Sequence, residues 1–333
     1  MISYKDLDAL LVEYKLNVFR YDAYVRSIVN GHLSITQKAL LARLALSDLT
    51  SASKSEVNAL LKDIRAIIDE NYAKIGAYLE TTASPFFAAS VQIEAAIYNT
   101  WLGSNIFTTL PKYKLDAIKV TPFFQGNTLN GWWERQTEDM QFKIGNIIRN
   151  GAAIGESEYS VAREIRHEMG VSQRQAATIV RTANAEISNQ AQAELMRQNK
   201  KHIESKQQIS TLDSRTTDIC KARDLFKWTL DNVPIGHNRP FIEPPLHFNC
   251  RSIIRMNIKG ATPSTRSAEF GPVSETINYE EWLKDQPDSY QDKVLGKRRA
   301  EWFRDGKIGI QDMVNQDDRK LTLDQLKKQY GLS

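Results

Sequence analysis

The residue types able to do chemistry fall in one stretch, Ile209 to Arg251. Both cysteines of the chain, Cys220 and Cys250, lie in it, with two of the five histidines, His237 and His247. The spacing His247-x-x-Cys250 brings an imidazole and a thiol together across one turn, and Pro244-Pro245 stiffens the approach to it. Cys220 arrives from the first half of the stretch. Thiolate and imidazole are soft and borderline ligands, so the set suits a tetrahedral metal, most simply zinc. The fourth ligand stays open between His237, Asp213 and Asp218. A structural zinc here closes a long loop and stabilises a region short of apolar core.

Two other readings use the same residues. In the first there is no metal: Asp213, Arg215 and Arg251 form an ion-pair and turn network, since Asp213-Ser214-Arg215-Thr216 has the types for a side-chain-to-backbone turn. The cysteines are then unbonded neighbours, or a disulfide once outside the cell. In the second, a cysteine and a histidine act as nucleophile and base, or a metal activates water in a hydrolase. That reading requires Cys220, His247 and Cys250 to converge in a cleft open to solvent. The chain has no strand-to-helix nucleophile elbow and no phosphate-binding glycine loop.

The elements that must position these groups come from a chain of 333 residues, enough for two or three domains. Apolar residues are 41% and charged residues 25%, an ordinary globular balance. A net charge of +4 does not by itself mark a nucleic-acid binder. Two cysteines exclude a disulfide-stapled scaffold. No run approaches the ~18 apolar residues of a membrane span. The start, MISYKDLDALLVEYKL, is charged every few residues, unlike a signal peptide, so synthesis and folding in a cytosol are expected.

Taken in order, the chain predicts an α+β fold that is predominantly helical. Helices are expected over residues 4–30 and 34–48. Ser53 and Glu56 have capping-box spacing before a helix whose stripe is Val57, Leu60, Leu61, Ile64, Ile67, Ile68, Ile75 and Leu79. Ser84-Pro85 predicts a break, with a helix resuming at Phe86. Trp132-Trp133 opens another helix as far as Ile148, and the pair is read as core. Gly151 to Gly155 is expected to interrupt it. Two helices then follow, the first ended by Gly170 and the second capped by Ser172. Arg174 and Arg181 there could meet phosphate in a helix-turn-helix regulator, but Glu158, Glu164, Glu168, Glu186 and Glu194 dilute the charge. Ser252–Met256 reads as a strand and the Gly, Pro, Ser and Thr-rich residues after it as a linker. The segments are therefore a helical domain (1–150), connecting helices (151–208), the motif module (209–260), a linker (261–277) and a docking segment (278–333). The last carries Tyr279, Trp282, Leu283, Trp302 and Phe303, too apolar for a disordered tail, and Thr322 with Gln325 forms a second capping-box pattern.

At the central stretch the sequence resembles the phage head morphogenesis proteins, the phage Mu protein F-like minor head proteins. An Asp-x-Arg-Thr turn, a following Cys and a Pro-Pro-x-His-x-Asn-Cys-Arg close carry the likeness, here Asp213, Arg215, Thr216, Cys220, Pro244, Pro245, His247, Asn249, Cys250 and Arg251. Arg181-Thr182 matches an element on the preceding helix, though Ala183 stands where an acidic residue is common. Ser252 stands where the family often has a further Cys, which removes one possible zinc ligand. Trp282-Leu283, Gln286-Pro287, Val294-Leu295-Gly296 and Leu321 to Leu326 resemble a region of the same proteins. The resemblance implies a non-enzymatic virion protein of a tailed phage, in the head near the portal vertex. Its implied roles are head assembly, DNA packaging or DNA delivery, and its implied partners are the portal protein or major capsid protein and no membrane. Packaged double-stranded DNA is a further partner, for which Lys297, Arg298, Arg299 and Arg304 are the expected contact residues. A metal- or thiol-dependent hydrolase carried in the virion is the alternative.

Overall fold

A computed structural model describes residues 7–262 and 265–332. The first three residues of the expected helix 4–30 lie outside the described residues. The fold is α+β and mainly helical. In chain order it runs α1 (Leu7–Leu44), α2 (Lys54–Leu102), α3 (Lys112–Asp116), a short hairpin β1 (Phe123–Phe124) and β2 (Asn127–Thr128), α4 (Leu129–Ile154) and α5 (Glu158–Gln198). Then come β3 (Ile203–Ile209), α6 (Asp218–Ala222), β4 (Lys227–Trp228), β5 (Pro234–Ile235), β6 (Ile253–Ile258), β7 (Thr265–Arg266) and β8 (Val273–Ser274). Four short helices close the chain: α7 (Tyr279–Lys284), α8 (Asp288–Leu295), α9 (Lys297–Arg304) and α10 (Leu323–Tyr330).

The chain divides into two compact units. One comprises Met1–Leu16, Ala89–Pro111 and Ser188–Ser333; the other comprises Asn17–Ala88 and Lys112–Ile187. The unit boundaries fall inside α1, α2 and α5.

In the unit of residues 17–88 and 112–187, mainly helical, three expected interruptions are absent. Helix α1 continues through residues 31–33, because Val25, Val29, Leu33, Leu40 and Leu44 form one buried stripe. Helix α2 continues through Pro85, where the ring removes a backbone donor. Thr81 and Thr82 hydroxyls donate to the carbonyls of Tyr78 and Leu79 just upstream. Helix α5 passes through Gly170, a residue that costs about 1 kcal/mol against alanine in a helix. Val161, Ile165, Met169, Ala176 and Val180, all buried, hold the helix across it. Ser172 is therefore no cap. Its hydroxyl sits in the core, 2.8 Å from the Tyr72 hydroxyl, and accepts from Gln136 Nε2 at 2.9 Å.

Other local expectations match. Ser53 and Glu56 bond reciprocally at the start of α2. Trp133 is buried with its Nε1 donating to Tyr72 O at 2.7 Å, and Trp132 donates to Phe124 O. Against the expected break from Gly151, helix α4 continues through Gly151 to Ile154 and ends only at Gly155, whose φ of 66° is the left-handed cap conformation. A Cβ on Gly151 would lie 2.6 Å from Val161 Cγ2, so glycine permits that close approach.

The other unit holds the sheet. Its order is β5-β4-β3-β6, antiparallel throughout. Residues 203–208 form the inner strand β3 and are not helical as the sequence suggests; the side chains of Ser205, Lys206 and Gln207 find partners there. Gln207 accepts from Arg255 Nη2 at 2.8 Å across the β3–β6 register, and the Lys206 ammonium reaches Asn232 and lies 3.4 Å from the Phe241 ring centroid. The strand after the motif is Ile253–Ile258, close to the expected span.

Candidate functional site

The motif stretch folds between β3 and β6. Residues 247–250 make a tight turn, with Cys250 N–H donating to His247 O at 3.1 Å and Asn249 at a φ of 60°. Asparagine tolerates that left-handed position, which is why the intervening Asn serves to set His247 and Cys250 on the same side. The Pro244–Pro245 bond is cis, and Asn189 Nδ2 on α5 donates to Pro244 O at 2.8 Å. Cys220 comes from α6.

The three candidate ligands converge. Cys220 Sγ lies 3.8 Å from Cys250 Sγ and 3.2 Å from His247 Nε2. All three ligand atoms fall within 4.8 Å of one another, the one cluster of metal-ligand type among the described residues. The cysteines are free thiols, buried at 2% and 4% exposure, while His247 is half-buried. A carbonyl oxygen only accepts, so His247 Nδ1 donates to Phe248 O at 2.8 Å. That bond turns Nε2 toward Thr217 Oγ1, 2.7 Å away, and toward the sulfurs.

The electrostatics of the cluster are uneven. The hydrogen bond from Cys220 and the neighbouring His247 hold the Cys250 thiol well below its ordinary range, at about 4, against the opposing effect of burial. Cys220 moves the other way, pushed up by its bond to Cys250 and by burial. For His247, burial works against the charged ring, but the hydrogen bond and charge of Cys250 outweigh it and raise the group.

The expected fourth ligands are not in the cluster. His237 stacks on Phe226, donates from Nε2 to Lys227 O at 2.9 Å and accepts at Nδ1 from Arg239 N–H at 3.1 Å, so both ring nitrogens are in use. Asp213 is held by a two-pronged pair with Arg251 at 2.5 and 2.7 Å. Its Oδ1 also accepts from Arg215 N–H and Thr216 Oγ1. Asp218 is paired with Lys221 and Lys320.

Asp213 and Arg251 thus form the expected clasp, and Tyr279 OH donates to Asp213 O from α7. Arg215 corrects that expectation in part. Its guanidinium is 81% exposed and 3.6 Å from Asp213, and its structural contribution is the backbone N–H. An ion pair so exposed adds little.

Two fully buried ion pairs went unseen in the sequence. Asp224 accepts both guanidinium arms of Arg266 at 2.8 Å, and also Ser210 N–H and Tyr279 N–H. Arg266 further donates to Ser210 O and Ile277 O. The residues read as a linker therefore contain an anchor at 1% exposure. Arg223 donates to Asp318 from Nε and Nη2 at 2.9 and 2.6 Å, and to Pro240 O.

The basic group expected to face DNA is mostly engaged within the protein. Arg298 donates to Glu301 and lies over Trp302, Arg299 donates to Leu321 O, and Arg304 pairs with Asp292 at 3.0 Å. Lys297 is exposed.

An α+β module closed by a Cys–His–Cys cluster and an Asp–Arg clasp is the class that the fold and site define. Residues 142–255 match the family described as Phage Mu protein F like protein, a span running from α4 to β6 and holding every residue of the cluster and the clasp. The likeness to that family covers this span, about a third of the chain. No curated protein and no solved structure matches it. No helix among the described residues is long and apolar enough to cross a membrane.

Proposed function

We propose that the chain is a structural minor head protein of a tailed phage, resident in the virion near the portal vertex and acting in head morphogenesis, DNA packaging or DNA delivery. The observation that carries this reading is the family match over the residues that build the closed module. The site itself supports a mechanical role. Both sulfurs are buried, and the clasp ties together the ends of β3, α6, the 247–250 turn and α7, so the thiols do not line an open substrate cleft. The hydrolase reading needs an open cleft at this point, and the burial speaks against it. The engagement of Arg298, Arg299 and Arg304 within the protein favours a protein partner, portal or capsid, over packaged DNA for that surface.

The test is cross-linking mass spectrometry on intact, DNA-filled particles. Cross-links from lysines of this chain to portal subunits are expected. Cross-links confined to tail proteins or to the outer capsid surface would overturn the portal assignment.

A further inference from the structure

We propose that Cys220, His247 and Cys250 hold a zinc ion with three protein ligands, and that its fourth position is taken by solvent on the Thr217 side. A tetrahedral zinc with Zn–S bonds of ~2.3 Å places its two sulfurs ~3.8 Å apart. The sulfurs of Cys220 and Cys250 are 3.8 Å apart, the edge such a site requires and far beyond a bond between them. The same tetrahedron with a Zn–N bond of ~2.0 Å sets sulfur and nitrogen ~3.5 Å apart. Cys220 Sγ and His247 Nε2, at 3.2 Å, reach that by a small rotation of one side chain.

The ligand set is oriented before any ion arrives. The Nδ1–H bond to Phe248 O leaves Nε2 as the coordinating atom, the outer contact that a metal-bound histidine ordinarily makes. Two thiolates neutralise a divalent ion, so the complex carries no net charge into a buried setting. Both thiols give up their protons on binding.

The fourth position follows by elimination among the neighbouring donors. His237 has both nitrogens bonded elsewhere, Asp213 is held by Arg251, Thr216 and Arg215, and Asp218 by Lys221 and Lys320. Ser252 lies beside the Ser210 hydroxyl at 3.2 Å. Thr217 is exposed, with its hydroxyl 2.7 Å from Nε2, which marks the side from which water reaches the ion and gives that water a hydrogen-bond partner. The inference does not depend on the virion role. A failure of one leaves the other standing.

The experiment titrates the full-length, reduced, metal-free protein with Co²⁺, and separately measures bound zinc by elemental analysis after incubation with Zn²⁺ and dialysis. One metal per chain is expected. The cobalt form should show thiolate-to-cobalt charge-transfer absorption, with its intensity falling by about half in Cys220→Ser or Cys250→Ser, since one of two thiolates is lost. Azide should shift the visible cobalt bands, because an exchangeable position is open. Absence of retained zinc in the wild-type protein overturns the site, whatever the cysteine variants do. Cobalt bands unmoved by azide overturn the solvent position, as a fourth protein ligand would then close the site.

Discussion

Asp224 accepts four hydrogen bonds with its carboxylate buried, two of them from a guanidinium that is itself buried. Breaking such a pair by removing one partner leaves an uncompensated buried charge, a loss of about 3–5 kcal/mol. Asp224→Ala and Arg266→Ala should each destabilise the protein by that order in urea unfolding, whereas Arg215→Ala, at an exposed side chain, should change it by less than ~0.5 kcal/mol. Glu94 gives a pH test. It is 2% exposed, its neighbours include Tyr14 and Gln192, and burial pushes its carboxyl up to about 8. The folded state therefore keeps a proton that the unfolded chain releases above the ordinary carboxyl range. Stability should fall as pH rises through that window, by ~1.4 kcal/mol per pH unit, and level off above about 8. Glu94→Gln should remove the slope and be more stable than the parent at pH 8, read as thermal midpoints across the pH series; a parallel slope in the variant would refute the assignment. At this scale the sequence shows the cluster because cysteine and histidine are scarce and sit close together. It hides the buried ion pairs, because arginine and aspartate are common and the partners stand 42 and 95 residues apart.

The C-terminal helices carry their own start signals. Asn278 with Glu281 and Thr322 with Gln325 form complete capping boxes at α7 and α10. Asn278→Ala and Thr322→Ala should each cost about 1 kcal/mol by denaturant unfolding, since each frees a backbone donor at a helix start. The second box is legible from spacing alone, as is the stripe of α2. The misread elements share a physical cause. Pro85 and Gly170 are local signals for a stop, and long buried stripes on either side outweigh them. Strand β3 carries Ser205, Lys206, Gln207 and Gln208, a polar run that no alternation rule marks as a buried strand. It is held by cross-strand partners and by the aromatic ring over Lys206, which only the fold brings together.

For the whole molecule, the segment after residue 277 is part of the module that it follows. Tyr279, Trp282, Leu283, Trp302, Phe303, Ile310, Met313 and Leu326 build one core around Leu212, just ahead of the Asp213 turn. The apolar richness of that segment announces docking, and its partner proves to be its own chain. Trp282→Ala should cost about 3–5 kcal/mol and make the chain before residue 278 sensitive to limited proteolysis. A cluster, a clasp, two buried ion pairs and this core all close one unit, which fits a part that must keep its shape inside a particle. The central claim is that the chain is a component of that particle. Quantitative mass spectrometry of gradient-purified, DNA-filled virions tests it most directly. The account predicts this chain in the particles at a fixed, low copy number relative to the major capsid protein, retained after high-salt washing. Its presence in infected cells with absence from the purified particles would contradict the account.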